Sequence, residues 1–100
     1  MRERLVRLLG LGVRAGRVVI GVAGVRARLQ RDALRCVVLA ADASPRTRDK
    51  VERLARARGV PIVQGPAALE LGAGLGRPPL QAVGVEDAGL ARGLVGFSEE

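Results

Sequence analysis

The sequence predicts an α/β fold in which helices cover both faces of one sheet, and three observations carry that reading. Segments with apolar residues at helical spacing alternate with short apolar runs, joined by short connections. One run, "CVVLAAD" from Cys36 to Asp42, is apolar up to its last residue, the pattern of a strand buried on both faces at the centre of a sheet. Size is the third: 100 residues with 48% hydrophobic content suffice for one compact core, so residues 1–100 are expected to form a single domain.

From Arg2 to Arg14, Leu5, Leu8, Leu9 and Val13 recur at three-four spacing while Arg4, Arg7 and Arg14 occupy other sides, which predicts a first helix. "RVVIG" follows as a short strand closed by Gly21. Val22, Val25 and Leu29 then share one face of a second helix, with Arg26, Arg28 and Arg31 off it. After the "CVVLAAD" strand, Ser44 stands as the cap of a third helix whose first residue is Pro45, where a missing amide hydrogen costs least. Val51, Leu54 and Ala55 supply its inner face, and the spacings Asp49 to Arg53 and Glu52 to Arg56 predict ion pairs four residues apart. Gly59 ends this helix, "VPIV" is the next strand, "PAALELG" a short helix begun by Pro66, and "AGLGRPP" an irregular loop. "LQAVGV" is the last strand and "EDAGLARGLVG" a terminal helix.

The formal net charge of +7 is unevenly spread. Residues 1–58 hold 15 basic against 5 acidic side chains, a net of +10, whereas residues 59–100 hold 2 against 5, a net of −3. Sixteen of the 17 bases are arginine, which a GC-biased genome explains; the clustering needs another cause, and attraction to polyanions supplies one. There is no Trp or Tyr and only Phe97 among aromatics, so stacking of unpaired bases on aromatic platforms is excluded as a mode of binding. Runs such as "VVIGVAGV" fall far short of the roughly 18 apolar residues of a membrane span, and Arg4 and Arg7 interrupt the first apolar turn, so neither a membrane association nor a signal peptide is expected. The single Cys36 opens an apolar run and has no histidine or second thiol beside it, which reads as a buried core residue in a reducing, cytoplasmic setting.

Residues suited to catalysis are sparse. With no histidine, the usual proton shuttle near neutral pH is missing. Asp42 ends a buried strand, where α/β proteins often place functional groups, yet alone it reads as a turn or cap residue. No serine or cysteine has a visible base, and "GLGVRAG" lies within a helix and not between strand and helix, so it is no nucleotide fingerprint. The expectation is a protein that is not an enzyme and holds no cofactor or metal. What the sequence does offer is the strand-to-helix turn at Gly21: the first amides of a helix lack partners, and the helix dipole adds about half a positive charge there. Arg17, Arg26 and Arg28 are the side chains expected to close around an anion at that point.

Taken together, "LLGLGVRAGRVVIG", "CVVLAADASP", "GVPIV", "LELGAGLGRPP" and "VGVEDAGLARGL" resemble the kink-turn-binding ribosomal protein family of the L-seven-Ae and L-thirty-e type, especially its small bacterial members, from about Leu5 to Leu94. The resemblance implies a three-layer α/β/α sandwich with a four-stranded mixed sheet, and binding of structured RNA, including ribosomal RNA, by two neighbouring loops. In that family the glycine of the strand-to-helix turn is followed by an amide residue two positions on, an acid three on and a base six on, which read sheared G·A pairs and adjoining phosphates. Here the glycine is Gly21, and those positions hold Ala23, Gly24 and Ala27, none of which makes such side-chain bonds. The main-chain amides from Val22 onward, and the phosphate-directed Arg26 and Arg28, are retained. The second region matches as the loop Gly74 to Leu80, with Leu75, Gly76, Arg77, Pro78 and Pro79 set to meet an extruded base or sugar.

The expected behaviour is RNA binding that tolerates base changes and weakens steeply with salt. A protein partner within a ribonucleoprotein is compatible with this. The competing expectation is a protein-interaction or structural module that keeps the fold without RNA recognition, as Ala23, Gly24 and Ala27 would permit.

Overall fold

The computed structural model describes residues 2–98. Its elements are α1 (Arg2–Arg14), β1 (Val18–Ile20), α2 (Val22–Gln30), β2 (Cys36–Leu39), α3 (Pro45–Ala57), β3 (Ile62–Gln64), α4 (Ala68–Gly74), β4 (Ala82–Val85) and α5 (Ala88–Ser98). The four strands form one mixed sheet in the order β1-β4-β2-β3. β4 runs antiparallel to both β1 and β2, pairing Ile20 with Val83 and Leu39 with Ala82, while β3 lies parallel to β2 with Val63 beside Val38. Helices α2 and α3 contact each other in one outer layer, and α1 contacts α4 and α5 in the other. The sandwich is therefore an α/β/α arrangement on a mixed sheet.

The apolar strand pattern has the consequence that physics requires of it. All four residues of β2 and all four of β4 are buried, because these strands occupy the sheet interior with a helical layer on each face. Leu9, Val25, Leu29, Val37, Val38, Leu39, Val51, Val63, Leu71, Val83, Val85 and Leu94 are the large side chains fully removed from water. Each such side chain contributes about 1.5–3 kcal/mol relative to exposure. Cys36 lies among them, and burial pushes its thiol up to about 12, so it is protonated and unreactive at neutral pH.

Four helices stop by one device. After α1, α2, α3 and α4, the residue past the cap takes a left-handed conformation at Gly16, Asp32, Gly59 and Gly76. In each case the next two amides fold back on the last turn: for α4, Gly76 donates to the Ala73 carbonyl at 3.1 Å and Arg77 to the Gly72 carbonyl at 2.8 Å. This is the Schellman pattern, which satisfies carbonyls otherwise left without partners. At the other ends, the Ser44 hydroxyl accepts from the Thr47 amide at 3.2 Å, as its sequence position predicts.

Several sequence-based boundaries and pairs shift. Asp49 and Arg53 do pair, at 3.3 Å, but Glu52 bonds back to Arg48 at 3.1 Å and not forward to Arg56, because Arg48 is also held by the end of β2. The third strand begins at Ile62, two residues after Val60, since the Val60 amide is used in closing α3 on the Ala55 carbonyl. Helix α4 starts at Ala68 and not at Pro66, and runs to Gly74, two residues into the stretch expected to be a loop. Helix α5 starts at Ala88, with the Asp87 carboxylate accepting from the Leu90 amide at 2.7 Å.

Candidate nucleic-acid interface

Strand directions bring four chain segments to one end of the sheet, where β1, β2 and β3 finish and β4 begins. The Gly21 amide donates to the Ala82 carbonyl at 3.0 Å, and the Ala40 amide to the Gln81 carbonyl at 2.9 Å. The Ser44 amide donates to the Gln81 side-chain oxygen at 2.9 Å, and the Leu80 amide to the Ala68 carbonyl at 3.0 Å. The loop that descends into β4 is thus tied to the mouth of α2, to the turn before α3 and to the start of α4.

Gly21 has φ 97° and ψ 155°, a backbone conformation that a side chain would strain, and no side chain caps α2. The Val22, Ala23 and Gly24 amides therefore open outward at the positive end of the helix dipole. Ala23, Arg26 and Ala27 are exposed. Val22 is half-buried and packs against the core, so its main chain is what it offers. Gly24 is half-buried for a steric reason: a β-carbon there would lie 2.6 Å from Cγ2 of Val19. Val19 fills that space and also abuts Gly84 on β4, where a β-carbon would meet its Cγ1 at 2.8 Å. The missing acid at this position is therefore part of how α2 sits close to the sheet.

On the second loop, Gly76, Arg77, Pro78 and Pro79 are exposed, whereas Leu75 is half-buried and packs in part against the core. The loop's shape depends on Gly72, where a β-carbon would come within 2.0 Å of the Pro78 carbonyl oxygen. Two arginines expected at the anion site lie elsewhere. Arg28 sits two turns along α2, about 9 Å from Val22 at the helical rise, and its guanidinium bonds to the Glu86 carboxylate. Arg17 precedes β1, at the opposite end of the sheet from Gly21, where its carbonyl accepts from the Glu86 amide at 2.8 Å. Arg26 and Arg77 are the members of the expected set that remain exposed and without an ion pair among the described residues.

Two contributors had no signal in local sequence. Gln81 joins the loop to Ser44, and Arg48 donates to the Ala40 carbonyl at 3.0 Å and to Gln64 at 3.1 Å, fixing the end of β2. Both act across long sequence separations, which spacing within one element does not reveal. Asp42 is a cap, as expected for it, but of a distant helix: its carboxylate accepts from the Ala68 amide at 2.7 Å. Among the described residues, no group of three or more His, Cys, Asp or Glu is placed to hold a metal. No helix among them is long and apolar enough to cross a membrane.

Comparison with known proteins agrees with this architecture. A large ribosomal subunit protein eL30 of Pyrobaculum calidifontis is 35% identical over 85 residues, covering 83% of this chain and 84% of that protein. A structure of a Bacillus halodurans protein of unknown function superposes with a TM-score of 0.91 at 28% identity, covering 98% of this chain and 99% of the other. The Giardia lamblia 15.5kD RNA binding protein shares the fold, with a TM-score of 0.74 at 22% identity over 97% of this chain and 85% of that one. The archaeal relative is a ribosomal protein. Residues 3–95 match the model of the Ribosomal protein L7Ae/L30e/S12e/Gadd45 family, and the chain belongs to that family.

Proposed function

We propose that this protein binds structured RNA in the cytoplasm as a ribosomal-type component, and that it recognises phosphates and shape in preference to base edges. The observation that carries the reading is the shared sheet end: the uncapped mouth of α2 from Gly21 to Gly24 stands beside the exposed loop Gly76 to Pro79. Main-chain amides at such a mouth hold a phosphate without any side chain. Arg26 and Arg77 add cations, and the nearby Asp42 carboxylate is turned to the Ala68 amide. Belonging to a ribosomal protein family, with an archaeal large-subunit relative over most of the chain, supports RNA as the polyanion.

Kink-turn specificity is the finer question. Ala23, Gly24 and Ala27 supply no side-chain hydrogen bonds to G·A pairs. Base-edge contacts carry about 1–3 kcal/mol of discrimination each on duplex DNA, and every 1.4 kcal/mol is tenfold. Without them the protein discriminates weakly among folded RNAs. The test is a titration of three RNAs at two salt concentrations: a kink-turn, the same RNA with its G·A pairs replaced, and an unrelated hairpin. Comparable affinities that all fall with salt are expected. Strong preference for the intact kink-turn overturns the base-tolerant reading, and no binding of any RNA at low salt overturns RNA binding itself.

A further inference from the structure

From the middle of α2 to its end, the surface between α2 and α3 forms a hollow of about 520 Å³ lined by Arg26, Gln30, Asp49, Lys50, Arg53, Leu54 and Ala57. Its walls are long cationic side chains: Arg26 from α2, and Lys50 and Arg53 from α3, all exposed. Asp49 is the single acid lining it and is engaged by Arg53 at 3.3 Å. Arg46, Lys50 and Arg53 are spaced four and three apart and so line one face of α3 over about 10 Å. That row starts in the first turn of α3, next to Ser44, which is bonded to Gln81 of the proposed RNA-binding loop. Arg46 and Lys50 have no ion pair among the described residues.

We infer that the α2–α3 groove is a second RNA-contacting surface, which receives the phosphate backbone of a stem leaving the site at Gly21. This rests on the RNA reading above and extends its footprint. Charge complementarity selects the occupant. The apolar floor is only the half-buried Leu54 and the small Ala57, too little for a hydrophobic partner helix, whereas three cations against one acid leave an excess of positive charge that suits a polyanion. Arg26 lies on both surfaces and joins them. The groove carries no sequence readout, because its cations meet phosphates, which are the same at every base.

The test uses the full chain and two RNAs: a hairpin that fills only the α2 mouth and loop, and the same hairpin with one stem lengthened by about ten base pairs, prepared in versions extended from either end. For the wild-type protein, one lengthened RNA binds more tightly and with a steeper salt dependence. The double variant Lys50→Gln with Arg53→Gln, both on the exposed surface, lowers the slope of log affinity against log salt by about 1–2 on that RNA. It leaves the short hairpin unchanged. Equal slopes for variant and wild type on every lengthened RNA overturn the groove while leaving the α2 site standing. Failure of the wild type to bind even the short hairpin removes the reading beneath both. Binding of an acidic protein in the groove, lost in the double variant while RNA slopes stay unchanged, assigns the surface to another partner.

Discussion

Gly24 shows how a single position decides both structure and recognition. A glycine in a helix interior costs about 1 kcal/mol relative to alanine, and Gly24, the third residue of α2, bears part of that cost, so its presence calls for a cause. The cause is Val19, whose Cγ2 occupies the place a β-carbon would take, 2.6 Å away, on a stiff β-branched side chain that cannot swing aside. Gly24→Ala is therefore expected to destabilise the protein, because overpacking at about 1–3 kcal/mol outweighs the gain in helix propensity. Combined with Val19→Ala, the same change should cost much less than the sum of the two single changes. Urea unfolding of the four proteins of this cycle measures the coupling, and simple additivity would show that Val19 and Gly24 do not compete for space. The sequence displays the glycine but not its neighbour. The pairing of β1 with β4 and the seating of α2 on the sheet decide what fills the gap, and neither is written in local spacing.

Among the elements, helix stops were more legible than side-chain partners. Gly59 marks the end of α3 in sequence, since glycine accepts the left-handed backbone at little cost. Asp32 does the same work after α2 at φ 58° and carries no such mark. Its carboxylate instead accepts two hydrogen bonds from Arg58, at 3.0 and 3.2 Å, joining the end of α2 to the end of α3. An aspartate in this conformation costs about 1 kcal/mol, while an exposed ion pair is worth about 0–1 kcal/mol, so the two effects nearly cancel. Asp32→Gly is expected to leave stability within about 0.5 kcal/mol of wild type, because it relieves the backbone as it removes the pair. Asp32→Ala keeps the left-handed backbone, which alanine bears less well than aspartate, and loses the pair, and should cost about 1 kcal/mol. Equal stability of the two variants in urea unfolding would mean that the left-handed turn does not determine this helix end.

For the whole molecule, the helical layers on both faces of the sheet and the buried strand β2 followed from alternation and one apolar run, because burial acts on every residue of an element at once. Of the candidate surface, the turn at Gly21, the loop after α4 and the exposed Arg26 and Arg77 were legible in the sequence. Arg17 and Arg28 belong to the opposite end of the sheet, a consequence of strand direction and helix length that residue type does not disclose. Charge gives one further consequence at this scale. With 17 bases against 10 acids, repulsion among arginines opposes folding, and the four ion pairs seen among the described residues offset only part of it. Raising NaCl from about 20 to about 300 mM shortens the screening length from roughly 20 Å to well under 10 Å, which relieves that repulsion more than it weakens four ion pairs, two of them exposed and two partly buried and less screened. The thermal midpoint of the free protein should therefore rise by a few degrees over this range, while RNA affinity falls over the same range. The opposite signs matter, because general destabilisation by salt would lower both. A midpoint that stays flat or drops as salt increases would show that the basic excess is already neutralised within the folded chain, leaving little unbalanced charge to attract an RNA.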